Sequence, residues 1–167
     1  MQISIVAIGS KRPAWVLENC ASYCRRMPAE LAVNIIEVPA EKRSKNQSIE
    51  ITRRRETQRL LEAVPAANYI IALDEHGQTL STEKLSKKMQ QWQMDGRDIS
   101  FLIGGPDGLD FSVSNKVSGS KTAPAHWPDS KLSLSSLTFP HPLVRVVLTE
   151  QLYRAWSISI GHPYHRE

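Results

Sequence analysis

Two kinds of apolar pattern alternate along this chain, and that alternation constrains its fold more than any other feature. Short runs rich in Ile, Val and Leu occur at Ile3 to Ile8, Val33 to Val38, Tyr69 to Leu73 and Ile99 to Ile103. Gly9, Pro39, Asp74 and Gly104 close them in turn. Runs of this length, bounded by turn formers, read as buried strands. Between them the apolar spacing is helical. Pro13 suits a first helical turn, and Val16, Cys20, Tyr23 and Met27 then recur four, three and four residues apart before Pro28 ends the stripe. A polar, basic loop from Ala40 to Gln47 leads into a helix from about Ser48 to Val64. Ser81 is a good N-cap flanked by the staple pair Leu80 and Leu85, and the helix it opens should bury Leu85, Met89 and Trp92 and stop at Gly96. Pro142 to Ile160 is a long final helix. Strands alternating with helices specify an α/β fold with a mostly parallel sheet. A fifth strand is expected at Ser135 to Phe139, and Phe111 to Ser133, rich in Ser, Lys and Pro, reads as a short helix followed by a loop.

At 167 residues and 41% hydrophobic content, the chain fits one domain with its own core. It has no run of apolar residues long enough to span a membrane. Its start, MQISIVAIG, has no charged segment followed by a long apolar stretch, which argues against a signal peptide. Cys20 and Cys24 fall on one side of the first helix with no second Cys or His cluster nearby, so core packing in a reducing compartment is expected and a zinc site is not. The reading is a soluble, cytoplasmic protein. The net charge of +4 is unevenly spread: 11 of the 21 Lys and Arg lie between Lys11 and Arg59, with only 6 of the 17 acids. Lys42, Arg43 and Lys45, followed by Arg53, Arg54 and Arg55, make phosphate contact plausible, with Lys42, Arg43 and Arg54 as the RNA-binding candidates. Three consecutive helical arginines point three ways and cannot share one surface.

Open parallel sheets bind ligands beyond the carboxyl ends of their strands. Three segments lie there: Leu73 to Gly77, Gly104 to Gly108, and Phe139-Pro140-His141-Pro142. The turn Gly104-Gly105-Pro106-Asp107-Gly108 lets a backbone approach a ligand closely, but it is neither a dinucleotide fingerprint nor a phosphate-binding loop with its lysine. Taken alone, it reads more readily as a plain tight turn after a strand. His141, His162 and His165 match no zinc spacing, so no metal is expected. Arg145 and Arg154 lie nine residues apart on the final helix and face nearly opposite ways; helical arginines are usually solvated.

LIGGPDGL at Leu102 to Leu109, SLSSLTFPHPLVRVVLTEQLYRAWSI at Ser133 to Ile158 and the closing HPYHRE go further. With the opening IVAIGSKRPAWV and the later IIEVPAEKRSKN, they closely resemble the SPOUT-class methyltransferases that act on ring N3 of a pseudouridine in large-subunit ribosomal RNA. The resemblance covers nearly the whole chain in order. It implies a single domain over residues 1 to 167, with a deep trefoil knot from about residue 70 to residue 167, a homodimer, and S-adenosylmethionine as methyl donor. It implies a donor pocket at Leu73, at Gly104 and Gly105, and along Leu134, Ser135, Ser136, Leu137, Thr138 and Phe139. Between Gly108 and Ser133 the chain runs about a dozen residues longer than the family pattern, which marks an inserted loop near residues 112 to 131.

The implied reaction is direct displacement, with the ring nitrogen attacking the methyl carbon, and it needs no protein nucleophile. It does need a proton acceptor, or cationic donors that favour the deprotonated ring. Arg154, Tyr164 and His165 are the expected base-binding residues, His165 the best proton acceptor, and His141 a fourth catalytic candidate. One subunit's tail would complete its partner's pocket. Two other readings stay open: an RNA- or ribosome-binding protein of the same fold without catalysis, and an enzyme acting on another RNA such as a transfer RNA.

Overall fold

The computed structural model describes residues 1–9, 13–43, 47–111 and 127–166. Five parallel strands form one sheet in the order β2-β1-β4-β3-β5. They are β1 (Ile3–Ile8), β2 (Val33–Val38), β3 (Tyr69–Thr79), β4 (Ile99–Ile103) and β5 (Ser130–Ser133). The helices are α1 (Ala14–Arg26), α2 (Ile49–Glu62), α3 (Thr82–Asp95) and α4 (His141–Ser159), and a short 3-10 turn at Pro163–Arg166 follows α4.

The central strands are buried on both faces, as their unbroken apolar runs require. Side chains alternate between the faces. Ile3, Ile5, Ala7, Phe101 and Ile103 point to a core built with Met27, Leu85, Met89, Leu148 and Leu152, which come from the residue closing α1, from α3 and from α4. Val6, Ile8, Ile70 and Leu102 point the other way, to Leu60 and Leu61 of α2. Ser81 caps α3 as its sequence indicates, its Oγ accepting from Lys84 N at 3.2 Å, and Gly96 ends that helix at φ 68°. Cys20 is buried and Cys24 is part-buried against the core, both on the inner side of α1. Burial, with the neighbouring Cys20 adding, pushes the Cys24 thiol up to about 11 and keeps it protonated.

Two strands differ from their expected positions. β5 lies at Ser130–Ser133, ahead of the expected Ser135 to Phe139, which is not a strand. The serines explain this: Ser133 Oγ donates to Ser135 O and Ser135 Oγ accepts from Leu137 N, both at 2.9 Å, so local turns replace a ladder. β3 does not stop at Leu73. Its pairing with β5 jumps at Leu132, which partners both Leu73 and Gln78, so the four residues between them loop out. The expected short helix and loop after Phe111, and the body of the expected insertion, fall largely on residues 112–126, outside the described residues. Where the chain returns, Asp129 Oδ2 accepts from Ile70 N at 2.7 Å and starts β5 against β3.

Candidate functional site

The carboxyl ends of β3, β4 and β5 open into a cavity of about 690 Å³, within the roughly 300–1,000 Å³ usual for small-molecule sites. Its walls come from three separate chain segments. β3 supplies Leu73 and the excursion Asp74-Glu75-His76, β4 runs into Gly104 to Leu109, and the stretch after β5 supplies Leu134, Ser135, Leu137, Thr138 and Phe139. Pro140 and His141 continue that wall into α4. Of the residues expected to hold the donor, all but Ser136 line this cavity.

The first wall stands on a glycine. A Cβ at Gly77 would sit 2.6 to 2.8 Å from the backbone of Leu132 and Ser133, so the excursion can fold back against β5 only without a side chain. Asp74 fixes the excursion's near end, its Oδ1 accepting from His76 N at 2.9 Å and its Oδ2 from Lys131 Nζ at 3.0 Å. Partial burial works to raise the Asp74 carboxyl, but these two donors outweigh it and hold it below its ordinary value.

The second wall is the glycine turn. At Gly105 a Cβ would fall 2.6 Å from Glu56 Oε2 and 3.3 Å from Ile8 Cγ2, so the turn leans directly on a carboxyl of α2. Glu56 is 1% exposed; its Oε1 accepts from Glu41 N at 3.0 Å, which ties the basic loop to the same point. Thr57, one residue on, accepts from Asp110 N through its Oγ1 at 2.9 Å. Arg43 Nη2 donates to Asp107 Oδ2 at 2.6 Å. One face of α2 thus fixes the turn. Its period is visible in the sequence as Arg53, Glu56, Thr57 and Leu60, but polar residues at core-facing positions hide it from a search for apolar stripes.

His141 is part-buried at the N-terminal end of α4. Desolvation, with the charges of Arg145 and Arg43 adding, holds its imidazole below the ordinary 6.5. Arg145, one turn on, is not solvated as a helical arginine usually is. It is 1% exposed and among the largest fully buried side chains. Its Nη2 donates to Ile8 O and, at 3.0 Å, to Gly9 O, and its Nη1 meets Glu37 Oε1 at 3.4 Å. It therefore pins the ends of β1 and β2 to α4. The available signal was its position on the helix face carrying Leu148, Thr149 and Leu152, all buried.

The other expected catalytic residues lie elsewhere. Arg154 is thirteen residues from His141 on α4, about 20 Å at 1.5 Å per residue, and neither it, Tyr164 nor His165 lines the cavity. They form their own cluster. Arg154 Nε donates to Glu150 Oε1 at 2.7 Å, its Nη1 to Tyr164 O at 3.2 Å, and its guanidinium lies 4.6 Å from the Tyr164 ring centre. Tyr164 Oη is 3.1 Å from Glu150 Oε1 and 3.3 Å from Tyr23 Oη, and its ring meets Tyr153 edge-on at 4.8 Å. Burial first, then Tyr23 and Glu150, raise the Tyr164 phenol well above its ordinary range, so it is a hydrogen-bond donor at neutral pH. Glu150 foremost raises Arg154 too. His165 Nδ1 lies 2.5 Å from His162 O. A carbonyl only accepts, so Nδ1 carries a proton, and in the neutral ring Nε2 is then the acceptor.

Of the RNA-contact candidates, Lys42 and Arg54 are exposed and Arg43 is held at the cavity by Asp107; Lys45 lies outside the described residues. Arg55 and Arg59 both pair with Glu41. Among the described residues no group of three or more His, Cys, Asp or Glu is placed to hold a metal, and no helix is long and apolar enough to cross a membrane.

Residues 1–165 match a family described as "Predicted SPOUT methyltransferase". The chain is also 46% identical, over its full 167 residues and the full length of the relative, to "Ribosomal RNA large subunit methyltransferase H" of Thioalkalivibrio sulfidiphilus (strain HL-EbGR7).

Proposed function

The chain belongs to the SPOUT methyltransferase family, and from that membership we propose that it methylates ring N3 of a pseudouridine in large-subunit ribosomal RNA, on assembled ribosomes in the cytoplasm. The observation that carries this reading is the cavity at the strand ends, where the three expected donor segments meet with His141 beside them. Its lining fits S-adenosylmethionine. Leu73, Leu109, Leu134, Leu137 and Phe139 offer apolar surface, and the side-chain-free Gly104 and Gly105 bring backbone polar groups to the edge. The bound donor supplies an electrophilic methyl group on a sulfonium centre.

The chain's own residues have two tasks: to orient the base and to take its N3 proton. Arg154, held by Glu150 and Tyr164, presents N–H donors suited to the ring carbonyl oxygens, which favours the deprotonated ring. His165 presents Nε2 as proton acceptor. His141, kept neutral by burial and nearby cations, is a second acceptor at the donor side. Within one chain these groups stand too far apart to act together. The site is therefore composite, the tail of one subunit completing the cavity of the other in a homodimer. The outer face of α4 supports such an interface, because Leu143, Val146, Val147 and Ile158 are only half-buried there and Ile160 beyond it is exposed. The same reading makes residues 1 to 167 one domain and gives the chain a knotted path from about residue 70.

The test is methyl transfer from labelled S-adenosylmethionine to ribosomes from a strain lacking the modification, with separated subunits and bare RNA alongside. Label on pseudouridine of the large-subunit RNA, only with assembled ribosomes, is expected. Donor binding without label on any ribosomal RNA would discard the substrate, and no donor binding would favour a binding protein of the same fold.

A further inference from the structure

The three consecutive arginines of α2 have three different fates. Arg54 points outward and Arg55 Nη1 pairs with Glu41 Oε1 at 3.0 Å. Arg53 turns inward and lines the cavity beside the glycine turn. Its nearest acid, Asp110 Oδ2, is 3.8 Å from Nη2, close enough for attraction and too far for a hydrogen bond. Its Nε is shielded from solvent with no hydrogen-bond partner among the described residues. Yet 36% of the side chain remains exposed at the cavity mouth. A guanidinium is a planar fork of N–H donors shaped for two oxygens of one anion. Here it has lost part of its hydration without gaining a bidentate partner, and it opens onto a ligand cavity.

Its setting is rigid. Glu56, one turn along the same helix face, underlies Gly105 and holds the basic loop through Glu41 N. Arg43, on that loop, is fixed to Asp107 of the same turn. Arg43 is near enough to lower the pKa of His141, and Arg53 lines the same cavity as His141.

We propose that Arg53 is an anion subsite at the mouth of the donor cavity, and that the anion is a backbone phosphate of the substrate RNA next to the nucleotide being methylated. A base inserted into the cavity brings its phosphates to the rim, where Arg53 lines the wall, Arg43 is held by Asp107 of the glycine turn, and Lys42 and Arg54 are exposed on the same loop and helix. This rests on the ribosomal-RNA reading above. The carboxylate of the donor's amino-acid end is the competing anion, and the test separates the two.

Arg53→Gln and Arg53→Lys would be made in the full chain and compared with the unaltered protein. The measurements are ribosome KM and kcat across a salt series, binding of S-adenosylhomocysteine by calorimetry, and salt-dependent co-sedimentation with ribosomes. The expected result for R53Q is a roughly tenfold rise in ribosome KM with kcat and S-adenosylhomocysteine affinity unchanged, and a salt slope shallower by about one. R53K keeps the slope and recovers part of the KM, since it retains the charge and loses the fork; if R53Q does not fold, that partial rise at constant slope is the result that decides. Weaker S-adenosylhomocysteine binding with unchanged ribosome KM would overturn the proposal by assigning Arg53 to the donor, and no change in either would remove the subsite. Co-sedimentation needs no turnover, so an enzyme that labels no ribosomal RNA would sink the substrate reading while this readout still judged Arg53.

Discussion

The strand-end cavity and the C-terminal tail keep their shapes by different means. The segments that wall the cavity are fixed by close backbone approaches: a glycine turn leaning on Glu56, an excursion folded against β5 at Gly77, and a serine-pinned stretch from Ser133 to Leu137. The tail is made of side chains, with Tyr164 wedged against Tyr153 and Tyr23 and Arg154 clamped by Glu150. Backbone walls leave no room for added atoms, and one methyl group is enough to disturb them. A side-chain cluster absorbs small changes, but it fails as a unit when its central residue is lost. The two regions belong to one reaction only if a second copy brings them together.

The sharpest way to break this comparison is to delete Tyr164 to Glu167. Methyl transfer should fall by about 10²–10³-fold or more, as when a transition-state donor is removed. Most donor affinity and the dimer should persist, because within one chain these residues do not line the cavity. Full turnover in the truncated protein would end the tail's catalytic role.

Gly105→Ala attacks the other region. Its new methyl group would meet Glu56 Oε2 and Ile8, and overpacking of this kind costs about 1–3 kcal/mol. Calorimetry should show S-adenosylmethionine binding weakened by a comparable amount, with the Tyr164 cluster unperturbed. Undiminished donor affinity would mean that the turn is not part of the donor wall.

The pH profile sharpens the same contrast. Burial, then Arg145 and Arg43, hold His141 below 6.5. Its neutral form, the one able to accept a proton, therefore persists down to that pH and is lost as pH falls further. The acid limb of kcat/KM should lie below pH 6.5 if His141 takes the proton, and His141→Ala should remove it. A limb that stays put in that variant assigns proton transfer to the tail.

The smallest effect is expected far from both regions. Ser81→Ala removes the cap of α3, worth about 1 kcal/mol, and should lower Tm by about 2–4 °C in a protein of this size. The methylation rate should not change.

The sequence made the strands of the central sheet legible, because β1 and β4 are buried on both faces and read as unbroken apolar runs. It misplaced β5, since apolar-polar alternation runs from Leu132 to Ser135 and resumes at Leu137-Thr138-Phe139, and either half looks like a strand. Whether a segment pairs or turns is settled by its hydrogen-bond partners, here the serine hydroxyls and the edge of β3. The excursion after Leu73 was invisible for the same reason. The three segments that line the cavity were legible through family resemblance and strand ends. Three inward-facing polar contributions were not. Arg145 and Glu56 hide on core-facing helix positions that composition treats as solvated, and Arg53 is told from Arg54 only by the phase of α2.

The central claim is that each active site draws on two chains, and subunit complementation tests it most directly. One partner would carry Gly104→Val, whose side chain collides with the Gly108 backbone and closes the donor cavity. The other would lack Tyr164 to Glu167. Each should be inactive alone. In a randomly mixed population half the dimers pair the two variants, and each such dimer has one site with an intact cavity and an intact tail, so about a quarter of wild-type methyl transfer should return. No recovery from mixed dimers shown to have formed would place the whole site within one chain and contradict the account.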